Sequence, residues 1–215
     1  LLMLGFSYQE RGSLLLSKRV HTIPDILHQL GYNQMVSCTG FCSAYQFYGV
    51  HHIRTIDAVT HGEKHDSGHS NWMIKKLLPE LAEQQKKQPF TLIVHNEDTH
   101  PEYHVDNECF RELPDEMKKW PISLQAVQCY DKYLKRVFDK IIELDLHKTS
   151  EIYVYGDHLL WGNHDYYPEP RKLVLMFPFR EKRMINKSIT LYDIAPTLLH
   201  LMGIEEYSPK FPFGI

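Results

Sequence analysis

The feature that most constrains this 215-residue chain is a change of hydrophobic period, repeated along its length. Short continuous apolar runs, FTLIVH (90–95), EIYVY (151–155) and KLVLMF (172–177), alternate with segments whose apolar residues recur every three to four positions. A run that is apolar at every position suits a strand covered on both faces, as in parallel sheets. A stripe of period 3.6 suits an amphipathic helix. The strongest stripe is Leu124, Val127, Tyr130, Leu134, Val137, Phe138, Ile141 and Ile142, which predicts a helix with those residues facing inward. Strand and helix in this rhythm imply an α/β fold, a mainly parallel central sheet with helices on both faces, in which the three apolar runs share one sheet.

Local signals place further elements. Thr22-Ile23-Pro24-Asp25 reads as a helix start, with Pro in the first turn and an acid at the capping-box position. Ile23, Ile26, Leu27 and Leu30 then recur at helical spacing, and Gly31 closes the helix. Residues 41–70 are rich in His, Gly and Ser and read as a long surface excursion. A helix over 71–85 contains Pro79, which predicts a break or restart there. A last helix starts near Asp193, carries Pro196 in its first turn and stops at Gly203.

Composition excludes some classes of function. The chain is 43% hydrophobic and 24% charged, a globular balance rather than that of a disordered segment. Its net charge is −3, and no basic stripe interleaves with aromatics, so a nucleic-acid surface is excluded. No apolar run approaches the roughly 18 residues of a membrane span. Leu1-Leu2-Met3-Leu4 lacks the basic flank of a signal peptide, and the chain begins without an initiator Met; the expectation is a piece of a longer protein. The four cysteines, Cys38, Cys42, Cys109 and Cys129, have no zinc-site spacing. They read as buried thiols, with a Cys38–Cys42 disulfide as the alternative in an oxidising compartment.

In α/β sheets ligands bind beyond the carboxyl ends of the strands, and two of the predicted strands end in ligand-type residues. FTLIVH runs into Asn96-Glu97-Asp98-Thr99-His100-Pro101. EIYVY runs into Gly156-Asp157-His158, with His164 and Asp165 close behind. Carboxylate plus imidazole at a strand terminus is a donor set that zinc and manganese accept. Gly162-Asn163-His164-Asp165 also spells a motif of calcineurin-like metallophosphoesterases. Those enzymes place a strand–helix–strand excursion between their GD and GNHD elements, whereas here one loop separates them, and the reading is rejected.

The same residues resemble the sulfatase/alkaline-phosphatase superfamily, in the flavour of its lipoteichoic-acid-synthase-type, phosphoglycerol- or phosphoethanolamine-transferase-like members. EIYVYGDHLLW (151–161) is similar to the strand and DH motif of that family. LHQLGY (27–32) resembles a helix ending in "GY", and KKQPFTLIVHNEDTHPEY (86–103) a "PF" strand followed by "HxPY". Tyr130-Asp131 sits where a "YD" helix precedes the DH strand. SITLYDIAPTLLHLMGI (188–204) resembles the family's C-terminal helix, and Phe213-Gly214 the "fG" after it. These pieces occur in order over nearly the whole chain.

The resemblance implies an alkaline-phosphatase-like sandwich over residues 1–215 as one catalytic domain, with 178–215 as a small C-terminal subdomain. It implies Asp157 and His158 as ligands of a divalent metal ion (Mn, Zn, Mg or Ca), and His100 and His164 as catalytic and substrate-binding contacts to a phosphoryl or sulfuryl group. Tyr192, Asp193 and Pro196 match as well, but capping, first-turn Pro and packing account for them. Ser7-Tyr8-Gln9-Glu10-Arg11-Gly12-Ser13-Leu14-Leu15 is loosely similar to a sulfatase nucleophile segment, which makes Ser7 the candidate nucleophile and Arg11 a substrate contact. Only six residues precede Ser7, too few for the strand that brings the first acidic metal ligand, so the N-terminal part is expected to be missing. The GKWHLG segment of typical sulfatases is absent as well; MVSCTGFC stands there, with Cys38 in place of a His. The implied activity is transfer or hydrolysis of a phosphate or sulfate ester of a small molecule, lipid or glycan, with phosphoryl transfer ahead of true sulfatase activity. The implied location is extracytoplasmic or secretory, with a membrane anchor upstream of residue 1. A non-catalytic remnant lacking the first ligand and the nucleophile is the rival reading.

Overall fold

A computed structural model describes residues 22–38, 53–56, 69–87, 89–96, 98–99, 103–156, 175–181, 193–204 and 206. The chain divides into two compact units, Pro24–Leu146, and His147–Ile215 together with Leu1–Ile23.

The first unit is built on a three-stranded parallel sheet. Helix α1 (Ile23–Gln29) takes Pro24 into its first turn and buries Ile26 and Leu27. It ends at Gly31, whose φ of 82° is open to glycine without the steric penalty of a Cβ. The Tyr32 N–H reaches back to the Leu27 carbonyl at 2.9 Å, closing the helix end. The chain then enters β1 (Asn33–Cys38), the central strand, which pairs in parallel with β2 (Arg54–Ile56) and β3 (Phe90–His95). Helix α2 (His69–Gln85) connects β2 to β3 and packs against β1 and the long helix α4 (Ile122–Glu143) through a face containing Ile74, Leu77 and Leu81. A short helix α3 (Asn107–Glu112) lies between β3 and α4.

Several local expectations give way here. β1 lies where no strand was expected, because its buried positions include Gln34 and Ser37 and so break the apolar-run signal. Gln34 is satisfied by a hydrogen bond from its Nε2 to the Pro24 carbonyl at 2.7 Å, and at the start of the strand Asn33 Nδ2 donates to Gln84 Oε1. Gln84 passes the connection on, donating to Glu80 Oε1 at 2.6 Å, and Glu80 pairs with Arg54 of β2. The supposed excursion at 41–70 contains β2, which at three residues is too short to show a period. Pro79 does not break α2; burial of Ile74 and Leu77 on one side of it and Leu81 on the other offsets a cost of about 3 kcal/mol for an interior proline.

The face of α4 is also turned relative to the apolar stripe. Its buried residues are Gln125, Ala126, Cys129, Tyr133, Val137 and Ile141, whereas Leu124, Val127 and Ile142 are exposed. Two features outrank the stripe. Gln125 Nε2 donates to the Lys118 and Trp120 carbonyls at 3.1 and 2.7 Å, closing the 3₁₀ turn before the helix. Cys129 forms a disulfide with Cys109 of α3, with a Cα–Cα separation of 5.8 Å. Cys109 and Cys129 are therefore not the buried thiols expected from sequence. The Cys38–Cys42 alternative lies outside the described side chains.

In the second unit, β4 (Val154–Tyr155) and β5 (Leu175–Met176) form an antiparallel ladder of their own among the described residues. The three apolar runs thus do not share one sheet there, since an apolar run specifies neither partner nor direction. Arg180 pairs with Glu151, and the His147 and Phe179 rings lie 5.6 Å apart. Helix α5 (Ile194–Leu201) starts after Asp193 and stops at Gly203, with φ 72°. The Asp193 side chain does not cap it; the Asp193 carbonyl instead accepts the Thr197 hydroxyl at 2.6 Å. Among the described residues no helix is long and apolar enough to cross a membrane.

The turned face of α4 can be measured. Ile141→Ala, at an α4 side chain with 8% exposure, should cost about 2–5 kcal/mol in urea unfolding. Leu124→Ala, at 50% exposure, should stay within about 0.5 kcal/mol of wild type. Equal losses would restore the sequence-derived stripe.

Candidate functional site

Register determines where the strands of the sheet end. Cys38 of β1 pairs with His95 of β3, and Ser37 pairs with Ile56 of β2, so the three parallel strands finish level, at one edge. Loops leaving that edge are where an α/β sheet builds ligand sites.

The loop after β3 is tied down by its own side chains. Asn96 Oδ1 accepts the Asp98 N–H at 3.0 Å, and Asn96 Nδ2 donates to Thr99 Oγ1 at 3.0 Å, an Asx turn at the strand terminus. Asp98 is 4% exposed, and its carbonyl accepts the His104 N–H at 3.0 Å. Asp98 and His104 are thereby tied to each other by a backbone bond. Burial, reinforced by the charge of Asp98, pushes the Tyr130 hydroxyl up to about 12.

Beyond the loop, Asp106 begins α3. Its Oδ1 accepts the Cys109 N–H at 2.9 Å, the N-cap bond, and its Oδ2 accepts the Tyr133 hydroxyl from α4. Burial holds this carboxyl above the ordinary aspartate range against the two backbone N–H groups that lower it, and the charges of Glu108 and Asp98 add to the rise. Asp106, Cys109 and Cys129 place potential ligand atoms within 4.8 Å of one another. The two sulfurs are bonded to each other, however, so neither is a thiolate that could hold an ion.

The raised Asp106 pKa has a defined sign. The folded state holds a proton that the unfolded chain has already lost, so stability falls as pH rises from the ordinary aspartate range through the folded midpoint. Asp106→Asn should flatten that part of a stability–pH curve measured by urea unfolding. A curve of unchanged slope would mean that Asp106 titrates normally.

The residues assigned roles from sequence, Ser7, Arg11, His100, Asp157, His158 and His164, all lie outside the described residues. The described chain reaches the approaches to two of the clusters: β3 and Asn96 ahead of His100, and β4 and Gly156 directly ahead of Asp157. Sequence reasoning missed the buried Asp98, the Asp106–Tyr133 bond and the disulfide. The spacings were there to read, Asp106 at N-cap distance from Cys109 and Cys129 one turn from Tyr133, but nothing local shows that Asp98 and Asp106 are buried.

Comparison with known proteins agrees with this frame. The Sulfatase family model matches residues 2–204. The lipoteichoic acid synthase LtaP from Listeria monocytogenes superposes with a TM-score of 0.71 at 20% identity, covering 94% of this chain and 58% of that one. A protein in the alkaline phosphatase superfamily from Vibrio parahaemolyticus superposes with a TM-score of 0.68 at 20% identity, covering 94% and 53%. The chain thus spans a little over half the length of these solved relatives, and no curated protein sequence matches it. These likenesses establish the alkaline-phosphatase-like α/β fold, and with nearly the whole chain matched, the protein belongs to the sulfatase family.

Proposed function

We propose that this chain carries the reaction centre of a divalent-metal-dependent enzyme that transfers or hydrolyses phosphate or sulfate esters through a covalent intermediate. The observation that carries the reading is the family match over residues 2–204, which includes the Asp157-His158 pair just beyond β4. A carboxylate and an imidazole fit Mn, Zn, Mg or Ca to different degrees, and Asp157 and His158 are the residues that would hold the ion. When bound, such an ion polarises the ester oxygen and lowers the pKa of an attacking hydroxyl.

In this reading the Ser7 Oγ bonds to the phosphorus or sulfur as the bond to the ester oxygen breaks, and the proton Ser7 gives up passes through water to the departing oxygen, which leaves as the alcohol. Water or an acceptor alcohol then displaces the serine and carries the group away. His100 and His164 donate hydrogen bonds to the non-bridging oxygens, where negative charge must be balanced in the transition state. Arg11 adds a planar donor pair suited to the same oxygens. Phosphoryl transfer is favoured over sulfuryl because the chain has a DH pair and lacks the GKWHLG segment. The substrate class is a small-molecule, lipid or glycan ester. The Cys109–Cys129 disulfide supports placement in an oxidising, extracytoplasmic or secretory compartment.

Metal analysis of the purified full-length protein, with a panel of aryl phosphate and aryl sulfate esters, tests the reading. Asp157→Ala should remove both metal and turnover while leaving far-UV circular dichroism unchanged; retained metal would overturn the ligand assignment. His100→Ala should lower turnover by about 10²-fold with metal retained, the scale of one lost charge-stabilising donor. His104→Ala should leave turnover near wild type, because the loop bond to Asp98 uses the His104 backbone. Turnover of sulfate esters alone would move the assignment to a true sulfatase.

A further inference from the structure

Helix α4 carries apolar residues on two sides, and only one side faces the core of the first unit. The Cys109–Cys129 disulfide ties that side to α3, and Gln125 Nε2 fixes the turn before the helix. These ties hold α4 against rotating to bury anything else. On the far side Leu124, Val127 and Ile142 are each about half exposed, and Leu134 is half-buried. At about 100° per residue, Leu124, Val127, Asp131, Leu134 and Ile142 fall within an arc of about 80°. They form one straight stripe along the 22-residue helix. Single apolar residues scattered on a surface need no partner, but a line of them along an otherwise polar helix face marks a contact.

The charges on this face indicate what the contact is. Asp131 lies on the stripe and Lys135 beside it, both exposed. Lys135 pairs with Asp139 one turn on, at 2.6 Å, an exposed ion pair that can be exchanged for another at little cost. Consider two copies of α4 laid antiparallel about a two-fold axis level with residue 133. Residues equally far to either side of 133 then stand beside one another. Leu124 meets Ile142 of the second copy and Asp131 meets Lys135 of the second copy, each contact occurring twice, with Leu134 and its counterpart close to the axis. Apolar groups meet apolar groups and opposite charges meet, in one register. A parallel pair would instead set Asp131 against Asp131 and Lys135 against Lys135, like charge on like.

We propose that the outer face of α4 is the docking site for a second copy of this chain, joined as an antiparallel two-fold helix pair. The contact is self-complementary, as a two-fold interface must be. A face about 33 Å long and one side chain wide covers only part of the roughly 800 Å² per partner of a standard interface. The pair is therefore weak, with a dissociation constant of about 10–100 µM.

The test is sedimentation equilibrium of the full-length protein from about 1 µM to about 1 mM, which should show a reversible monomer–dimer equilibrium. Leu124→Lys, Asp131→Lys and Lys135→Asp should each weaken the dimer about 10-fold or more, with the unfolding midpoint of the dilute monomer unchanged. The double variant Asp131→Lys/Lys135→Asp should return the affinity to within about 3-fold of wild type, because the same opposite pairs re-form with their signs exchanged. Under mild oxidation Leu124→Cys/Ile142→Cys should give a covalent dimer that wild type and Leu124→Cys alone do not. A monomer at the highest concentration overturns the proposal. If that monomer sediments with phosphatidylglycerol vesicles and Leu124→Lys does not, the face belongs to a lipid surface instead. A lowered unfolding midpoint in monomeric Leu124→Lys means that the chain covers this face itself, which also overturns the proposal. A dimer that the charge exchange fails to restore, or that Leu124→Cys alone cross-links, overturns the antiparallel register.

Discussion

The parallel pairing of β1 with β3, six residues long and in register from Asn33–Phe90 to Cys38–His95, is the constraint on which the rest of the first unit depends. It aligns the carboxyl ends of two strands that are far apart in sequence. It also places the loop after β3 at the edge where α/β folds gather ligands. The hydrogen bond from the Asn33 N–H to the Pro89 carbonyl starts this register. The polar relay from Asn33 through Gln84 and Glu80 to Arg54 then ties α2 to the two strands it must cover. A slip of one residue would break that relay and turn the buried Met35 and Val36 to the opposite faces.

Around that pairing, α2 and α4 form the packed body of the unit. Gln85 Nε2 donates to the Leu144 carbonyl at 2.6 Å, so the end of α2 and the end of α4 are fixed to each other by a side chain as well as by apolar contact. The chain turns sharply after α4 at Asp145, whose φ is 55°, a conformation that Asp tolerates better than most residues. The polar side chains thus decide direction and register where apolar burial alone would leave choices open.

Much of this was legible in the sequence, and the failures have specific causes. The helices at 23–29, 122–143 and 194–201 and the strand FTLIVH follow from period, Pro and Gly. β1 was hidden because Gln34 and Ser37 are buried there, Gln34 with a partner on α1 that no local pattern reveals. The face of α4 was misjudged because Cys129 and Gln125, not its largest apolar side chains, determine which way it turns. The Asp157-His158 and His100 clusters were legible as chemistry from residue type and strand-end position. Asp98 and Asp106 were not, because acids in a charged loop look solvated until packing buries them.

The two kinds of contact in the first unit also differ in when they can form. The disulfide closes a separation of 20 residues, with α3 and the beginning of α4 inside or beside it, so it needs only local encounter and an oxidant. The β1–β3 ladder has to wait until all of α2 has been made and its loop-closure entropy overcome. During that interval β1 has exposed edges that another extended chain could pair with. A nascent chain kept reduced would lack the covalent tie between α3 and α4 through the same interval. The compartment that permits the disulfide therefore bears on the yield of correctly folded chains as well as on the finished molecule.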